Sequence, residues 1–454
     1  MKKNNMLTGS PIKTIVFFSL PIMLSSLLQY NYSLVDNIIV GRYVSTDALA
    51  AVGNVGPIGS FLIGAAFGLT SGFTIPVAHA FGAGDKRKLS HYAGNSITIS
   101  AIVGVAIIIV AHILTRPLLK AIGTPSEIID LSAAYMNILY FGVPFQMLSN
   151  NFTAISRAVG ESKKPLYFFI VSVIVNFVLD LLFVKNFKWG VEGAAWATLI
   201  ANAVAALLTG IYVIKYNKDV EIKKSDLKPN MATAWEQIKL GIPVSLQFTI
   251  TSIGSMCLQS AVNSFGANVI AGFTAAGRVE NLTNIPMSGL GVATQTFVGQ
   301  NYGARNYERI TKSVKKIFIA DIVVSVIMSL TLYLIGLPTV SLFMTEPNAA
   351  IMAAAKQYII ATAECYSLVA ILFVLRNTLQ GLGFTYSNMI AGAGEFFGRL
   401  AVAFIFTKII GFNAVCYAAP AAWLIADIPL AIIYLSKHKK FKALAAEQKA
   451  KNNI

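Results

Sequence analysis

Two aspartates of this sequence lie inside long apolar stretches, where a carboxyl group has little water to solvate it. Asp36 belongs to "QYNYSLVDNIIVG" and Asp180 to "VIVNFVLDLLFV". Tyr32 precedes the first aspartate by four residues and Asn176 precedes the second by four, so each pair shares one face of a helix. Ionisable residues in such positions are costly and are usually functional. We interpret both aspartates as candidate cation-binding groups.

The two carboxyl groups would form a proton carrier if they faced each other. In a low dielectric they cannot both ionise cheaply, and one would keep its proton near neutral pH. The same oxygens, with amide and hydroxyl oxygens beside them, would also suit sodium, so both ions stay open. The structural alternative is that each carboxylate lies near a helix end and is hydrated.

Further polar or helix-breaking residues accompany the aspartates. Pro21 lies fifteen positions before the first aspartate and predicts a kink in that helix. Gln29 lies about two turns before the same aspartate and is a candidate for a substrate cavity. Asn150, Asn151 and Thr198 occupy other apolar stretches. Taken singly, each of these three is more often an interhelical hydrogen-bonding group than a ligand.

The second half of the chain has other polar residues in its apolar stretches: Arg278, Glu280, Glu364, Arg376, Glu395 and Arg399. Glu395 and Arg399 are four residues apart with the glutamate first, which favours an ion pair. Glu280 lies on a different helical face from Arg278, so we expect it to point into a cavity and meet a cationic substrate. Arg278 and Glu395 are further candidates for the substrate cavity. The second half has no acid at the positions equivalent to the two aspartates, which suggests a single coupling site.

Composition indicates the elements that must position these groups. Only 12% of the 454 residues are charged and 56% are apolar, whereas soluble domains have about 25% charged residues. A helix needs roughly 20 apolar residues to cross the membrane. We predict an all-α polytopic membrane protein with twelve spans, at approximately 14–40, 48–77, 93–115, 131–157, 166–185, 193–214, 236–263, 268–299, 316–337, 351–378, 388–409 and 413–436.

The basic residues cluster in short runs between the apolar stretches, and the formal net charge is +16. This distribution is typical of the positive-inside rule and not of a nucleic-acid-binding face, so we expect no nucleic-acid partner. The runs alternate along the chain, which predicts that both termini are cytoplasmic. The basic N-terminus and the apolar stretch after it resemble a signal peptide, but we interpret them as a retained first helix.

Four landmarks recur in the two halves of the chain. Pro21 and Pro243, Gly82 and Gly303, Gly160 and Gly383, and Gly190 and Gly411 are each separated by 221 to 223 positions. This spacing predicts a duplicated six-helix unit with parallel repeats. We expect an N-terminal lobe at 1–214, a cytoplasmic linker at 215–235, a C-terminal lobe at 236–436 and a basic cytoplasmic tail at 437–454. Such lobes enclose a cavity and give alternating access by rocking.

The sequence gives no sign of an enzyme. It has no Walker, GxSxG or HExxH motif, and its three cysteines and four histidines show no metal-ligand spacing. We therefore expect no cofactor or metal site, and we expect transport energy to come from an ion gradient. An intramembrane enzyme would need a nucleophile–base pair, and a scaffold without transport would leave the two buried aspartates without a purpose.

Several segments resemble the MATE (multidrug and toxic compound extrusion) family of transporters. They are "SLPIMLSSLLQYNYSLVDNIIVGRYVSTDALAAVG", "HAFGAGDKRK", "ISRAVGESKKPL", "GVEGAAWAT" and "TFVGQNYGARN", and together the resemblance covers essentially the whole chain. It implies twelve helices in two lobes, and efflux of amphipathic, often cationic compounds in exchange for H⁺ or Na⁺. It also implies a bacterial plasma membrane protein that functions as a monomer.

The resemblance is closest to the DinF-like branch, whose cation site lies in the N-terminal lobe. The family motif assigns the site to these positions: Pro21 for the helix kink, and Tyr32, Asp36, Asn150 (with Asn151 as the alternative), Asn176, Asp180 and Thr198 for the cation. The NorM-like branch has a glutamate where this chain has Thr251, and an aspartate near Ile371, so the sodium site of that branch is disfavoured here.

A lipid-linked oligosaccharide flippase of the same superfamily is the alternative function. Such a protein would have the same two lobes, but it would need a strongly cationic cavity for a pyrophosphate group. The polar residues of the first half are acidic or neutral, which argues against a flippase. Arg278, Arg376 and Arg399 keep this alternative open.

Overall fold

The computed structural model describes residues 6–342 and 348–452, and the regular secondary structure of these residues is entirely helical. The helices are α1 Pro11–Tyr43, α2 Thr46–Phe73, α3 Ile75–Gly82, α4 Lys86–Ala121, α5 Ile129–Ala158, α6 Lys163–Asp180, α7 Gly190–Ile211, α8 Met231–Asn263, α9 Ala267–Gly303, α10 Tyr307–Leu342, α11 Ala349–Glu364, α12 Tyr366–Gly381, α13 Tyr386–Ala401, α14 Thr407–Ile410, α15 Phe412–Cys416 and α16 Ala418–Asn452. Wider π-helical turns follow α6, α7 and α13, at Leu181–Asn186, Tyr212–Tyr216 and Val402–Phe406.

The described helices account for the twelve spans that the sequence predicts. Nine stretches are long and apolar enough to cross a membrane, and α11 with α12 forms a tenth that bends by 53°. Helices α5 and α9 contain 30 and 37 residues and supply the other two. They are less apolar because they carry many Asn, Gln, Ser and Thr side chains. Large apolar residues such as Ile113, Leu207 and Leu334 are more than 60% exposed, as expected where the surrounding solvent is lipid.

The backbone repeats in the two halves of the chain, as the sequence predicts. Gly160 and Gly383 have φ angles of 85° and 86°, and Gly190 and Gly411 have φ angles of 62° and 63°. These left-handed conformations favour glycine, which explains why glycines recur at these positions. The π-helical turns that begin at Leu181 and Val402 are likewise 221 positions apart. The chain is therefore a duplicated six-helix bundle.

The described chain forms two compact units whose boundaries differ from the predicted lobes. One unit contains residues 24–245, and the other contains the described residues 6–23, 246–342 and 348–452. The first half of α1 therefore belongs to the unit that holds the C-terminal half of the chain. The first half of α8 belongs to the unit that holds the N-terminal half. The lobe boundaries remain a prediction about membrane spans, while these units describe packing.

The two segments that the sequence assigns to a linker and a tail are ordered and pack against other parts of the chain. In the linker, Thr98 Oγ1 donates to the carbonyl of Leu227 at 2.7 Å, and Asn230 N donates to Asn95 Oδ1 at 3.0 Å. In the tail, α16 continues as a helix to Asn452. The apolar and aromatic side chains of these segments, which pack in the clusters around Val220 and Phe441, explain the order.

Candidate functional site

Helices α1 and α6 bring the predicted polar residues together in the first unit, with Asn176 at the centre. Oriented by its hydrogen-bonding neighbours, the Asn176 amide nitrogen donates to Asp36 Oδ1 at 3.0 Å and to Asp180 Oδ2 at 3.0 Å. Its amide oxygen accepts from the Tyr32 hydroxyl at 3.1 Å. One amide therefore bridges both carboxyl groups, and this bridge fixes their separation.

The two carboxyl groups also lie within hydrogen-bond reach of each other. Two carboxylates have no proton to share, so a hydrogen bond between them requires that one is protonated. Asp180 is fully buried, and its Oδ1 has no other donor in the described part of the chain. Protonation of one carboxyl group would allow the pair to form a hydrogen bond. The geometry therefore suits the storage of one exchangeable proton.

Helix α7 adds a hydroxyl group, as the sequence predicts. Thr198 Oγ1 lies 3.2 Å from the Tyr32 hydroxyl and within hydrogen-bond reach of Asp36. The single proton of the Tyr32 hydroxyl is donated either to Thr198 Oγ1 or to the Asn176 amide oxygen, so the two hydroxyls extend the polar cluster from the carboxyl pair to α7. The residues of three helices thus form one connected network.

The sequence analysis did not identify Tyr135, which belongs to this site. This buried tyrosine of α5 interacts electrostatically with both Asp36 and Asp180. Nothing in the local sequence distinguishes it from the other tyrosines of the chain, because its partners are remote in sequence. Asn150, the predicted α5 ligand, is joined to the cluster by no hydrogen bond among the described residues. Its role stays a prediction.

Local backbone geometry helps to place Asp180. It is the last residue of α6, and the π-helical turn Leu181–Asn186 follows it. A π-helical turn inserts an extra residue into the helix and redirects the side chains around it, and such turns are frequent at functional sites. The apolar sequence "VIVNFVLDLLFV" predicts the helix but not this widening.

The remaining predicted residues of the first half lie outside the network. Pro21 is a buried interior residue of α1, and Gln29 is exposed on the same helix. Asn151, the alternative to Asn150, is fully buried and accepts a hydrogen bond from Ser96 at 3.2 Å. Asn151 is therefore an interhelical hydrogen-bonding group, which is the structural role that such residues usually have.

Glu280 of α9 is enclosed by protein in the second unit. The Tyr358 hydroxyl donates to its carboxylate, and Asn284 Nδ2 donates to its other oxygen at 3.2 Å. Only 9% of Glu280 is exposed, whereas Arg278 is exposed. The two residues lie on different faces of the helix, as expected. A substrate role for either residue stays a prediction.

The ion pair between Glu395 and Arg399 is present, as the sequence predicts. Arg399 Nη1 lies 3.3 Å from one carboxylate oxygen of Glu395, and Arg376 of α12 bonds the other oxygen. Glu395 is buried, and its carboxylate is held between two guanidinium groups. A third residue, Asp427 of α16, interacts electrostatically with Arg376 and Glu395.

Asp321 and Asp427 were missed in the sequence analysis. Both are buried, and neither has a hydrogen-bond partner for its carboxyl oxygens among the described residues. They occur in "FIADIVV" and "LIADIPL", and an acid in an apolar stretch is the signal that identified Asp36. The polar residues of the second half that the sequence analysis names do not include these two aspartates.

Known proteins resemble the chain over almost its full length. The family model described as MatE matches residues 21–182 and 243–405, which are the two repeats. The "Probable multidrug resistance protein YoeA" of Bacillus subtilis is 28% identical over 82% of this chain and 81% of that protein. The "Multidrug export protein MepA" of Staphylococcus aureus is 26% identical over 95% of each chain.

A solved structure agrees with these matches. The structure described as the outward-facing conformation of a multidrug resistance MATE family transporter of the MOP superfamily is 26% identical, with a TM-score of 0.89. The match covers 98% of this chain and 99% of that one. The family model covers both repeats and more than half of the residues, and the chain therefore belongs to the MATE family.

Proposed function

We propose that this protein is a secondary active antiporter that exports amphipathic, often cationic organic compounds in exchange for protons. The observation that carries the proposal is the pair of carboxyl groups, half-buried Asp36 and fully buried Asp180, bridged by Asn176. The named relatives are multidrug resistance and multidrug export proteins, which supports an organic substrate. The family membership supports a multi-pass protein of the bacterial plasma membrane. We propose cytoplasmic termini and a monomer.

The arrangement of the carboxyl pair favours a proton over sodium as the coupling ion. Metal cations are held by several converging oxygen ligands, whereas in the orientation of Asn176 that satisfies both carboxylates the donor nitrogen faces them. In that orientation, sodium would have to displace both N–H···O bonds. A proton needs no rearrangement, because it replaces no ligand and completes a hydrogen bond between the two carboxyl groups.

The flippase alternative is not favoured by the described residues. Two of the three arginines that kept it open, Arg376 and Arg399, bond the carboxylate of Glu395. Glu395 offsets one of these two positive charges, and the acids Glu280 and Asp427 lie within electrostatic range of Arg399 and Arg376. A binding site for a pyrophosphate group would need uncompensated cationic side chains.

Transport by purified membrane vesicles would test the proposal. Inverted vesicles with wild type, Asp36→Asn or Asp180→Asn would be given ethidium under an imposed proton gradient and, separately, a sodium gradient. We expect wild type to transport under the proton gradient only and both variants to fail despite normal insertion. Asp130→Asn is the matched control, because Asp130 pairs with Arg116 at 2.8 Å on the exposed surface.

The other outcomes are also informative. Transport by the variants at the wild-type rate would contradict the assigned site and would turn attention to Glu280 and Glu395. Transport under the sodium gradient alone would replace the proton as the coupling ion. If wild type moved no cation under either gradient, the flippase would become the leading interpretation.

A further inference from the structure

The second unit contains an intramembrane charge cluster that lies outside the proposed coupling site. Its charged members are Glu395 and Arg399 of α13, Arg376 of α12 and Asp427 of α16. Glu280 of α9 lies within electrostatic range of Arg399 and extends the cluster. These groups come from four helices of one unit, so the fold, and not local sequence, assembles them.

The cluster has more acids than bases. Three carboxyl groups, Glu280, Glu395 and Asp427, face two guanidinium groups, so one negative charge remains if all are ionised. An uncompensated charge buried in a membrane protein is costly, and buried charges are stable only when they are paired. One added cation would make the cluster neutral.

Asp427 is the acid that lacks a partner. Glu395 bonds both arginines, and Glu280 accepts from Tyr358 and Asn284. Asp427 is 6% exposed, and neither of its carboxyl oxygens has a hydrogen-bond donor. A buried carboxylate without donors is much less stable than the neutral acid. The uncompensated charge of the cluster therefore falls on Asp427.

Arg376 connects Asp427 to the rest of the cluster. Its guanidinium interacts electrostatically with Asp427 but forms its hydrogen bond with Glu395, and its Nε atom has no partner. Arg376 thus has an unpartnered donor, Nε, and interacts electrostatically with a carboxyl group that has no donor. If Asp427 lost a proton, it would compete with Glu395 for this arginine, and Arg399 would still hold Glu395.

We propose that Asp427 is a second proton-binding site, in which protonation of the carboxyl group and pairing with Arg376 are alternatives. A metal cation fits poorly, because the neighbouring group is a guanidinium and not a set of oxygen ligands. In the part of the chain that the structure describes, no three His, Cys, Asp or Glu residues converge on a possible metal site. The single coupling site suggested by the sequence is then incomplete.

Other titratable groups surround α16, and a titration of Asp427 must be distinguished from theirs. Helices packed against it contribute Arg376, Glu395, Arg399 and the fully buried Asp321, and α11 and α15 contribute Tyr358 and Cys416. Tyr434 lies two turns after Asp427 on α16 itself and contacts His438 at 3.3 Å. Asp321 of α10 is the closest match to Asp427, because it is a buried aspartate with both oxygens unpartnered.

Infrared difference spectroscopy of the full-length protein in lipid nanodiscs tests this proposal. Spectra would be recorded between acidic and alkaline pH in a background with Asp36→Asn and Asp180→Asn, which removes the carboxyl groups of the first site. The readout is the C=O band of a protonated carboxylic acid. It does not require transport, so failure of the proposed function and failure of this inference are distinguishable.

We expect a titrating carboxylic-acid band that adding Asp427→Asn removes and adding the matched control Asp321→Asn preserves. Asp427→Glu should keep a band at a shifted frequency, which covers the case in which Asp427→Asn fails to fold. Arg376→Gln should move the titration to higher pH, because the charge that stabilises ionised Asp427 is gone. The proposal is overturned if the band persists unshifted in both Asp427 variants, or if Asp321→Asn removes it.

Discussion

At the scale of single residues, the candidate site depends on the amide of Asn176 as much as on the two aspartates. An amide is the smallest side chain that donates to two carboxyl groups and accepts from a hydroxyl at the same time. Asp36, Asp180 and Tyr32 each use one of these bonds. Loss of the amide would leave two acids with no common donor, and their separation would no longer be fixed.

The variant Asn176→Ala is expected to lower proton-coupled efflux by at least about tenfold, because a hydrogen bond to a charged group contributes about 1.5–3 kcal/mol. The measurement is ethidium transport in inverted vesicles under a proton gradient, normalised to inserted protein. Asn137→Ala on α5 is a suitable control, since Asn137 bonds Thr115 and not the aspartates. Equal rates for the two variants would argue that the bridge is unimportant.

The sequence predicts much of this site because placing a carboxyl group in an apolar membrane helix costs free energy, and such residues are therefore rare. Asp36 and Asp180 are recognisable as charges in apolar stretches, and Tyr32 and Asn176 follow from helical spacing. Tyr135 is not recognisable, because a tyrosine is ordinary in a membrane helix and only the fold brings it to the acids. Asp427 is recognisable by the same criterion as Asp36, because it is an acid in an apolar stretch.

At the scale of helices, close packing within the first unit depends on glycine where α2 meets the first half of α8. A Cβ atom on Gly72 would lie 2.3 Å from the Cα atom of Gly241, and one on Gly68 would lie 2.6 Å from the Cα atom of Ser245. These neighbours are backbone atoms, which cannot move aside as a flexible side chain can. Small residues of this kind allow membrane helices to approach closely.

The variant Gly72→Ala is therefore expected to destabilise the protein by about 1–3 kcal/mol, which is typical of overpacking. The measurement is the apparent melting temperature of the detergent-purified protein. Gly59→Ala is the matched control on the same helix, because no atom lies within 4 Å of the Cβ position there. We expect the control to melt like wild type, and a similar melting temperature for both variants would contradict this account.

Polar side chains reinforce the same helix contact. Gln237 of α8 is fully buried, and its amide nitrogen donates to the carbonyls of Phe73 and Tyr92, both at 2.9 Å. Its oxygen accepts from Asn95 at 2.8 Å. Phe73 is the last residue of α2 before the break at Thr74, so Gln237 satisfies a carbonyl group near the helix end. The first half of α8 is thus an integral part of the first unit.

At the scale of the whole molecule, each half of the chain contributes a helix segment to the unit that is formed mainly by the other half. The first unit includes residues up to Ser245, and the second unit includes the described residues before Leu24. In the second unit, Phe18 packs in one cluster with Phe297, and Arg309 donates to the carbonyls of Thr8 and Gly9, both at 2.9 Å. Hydropathy did not predict this exchange, because a helix passes from one unit to the other without a change of composition.

This exchange predicts how the protein responds to being split in the linker. A fragment of residues 1–224 lacks the segment 231–245, and a fragment of residues 225–454 lacks the segment 5–23, so neither contains a complete unit. We expect each fragment expressed alone to be degraded or to aggregate in detergent. Co-expressed fragments should purify together and melt near the intact protein, because every buried contact is then available.

Size-exclusion chromatography and melting of the purified fragments would check this expectation. The intact chain and the co-expressed pair serve as controls, since they have the same residues and differ by one peptide bond. A fragment of residues 1–224 that is monodisperse and as stable alone as in the pair would show that a lobe of consecutive residues folds by itself. The predicted boundaries 1–214 and 236–436 would then describe folding better than the packed units do.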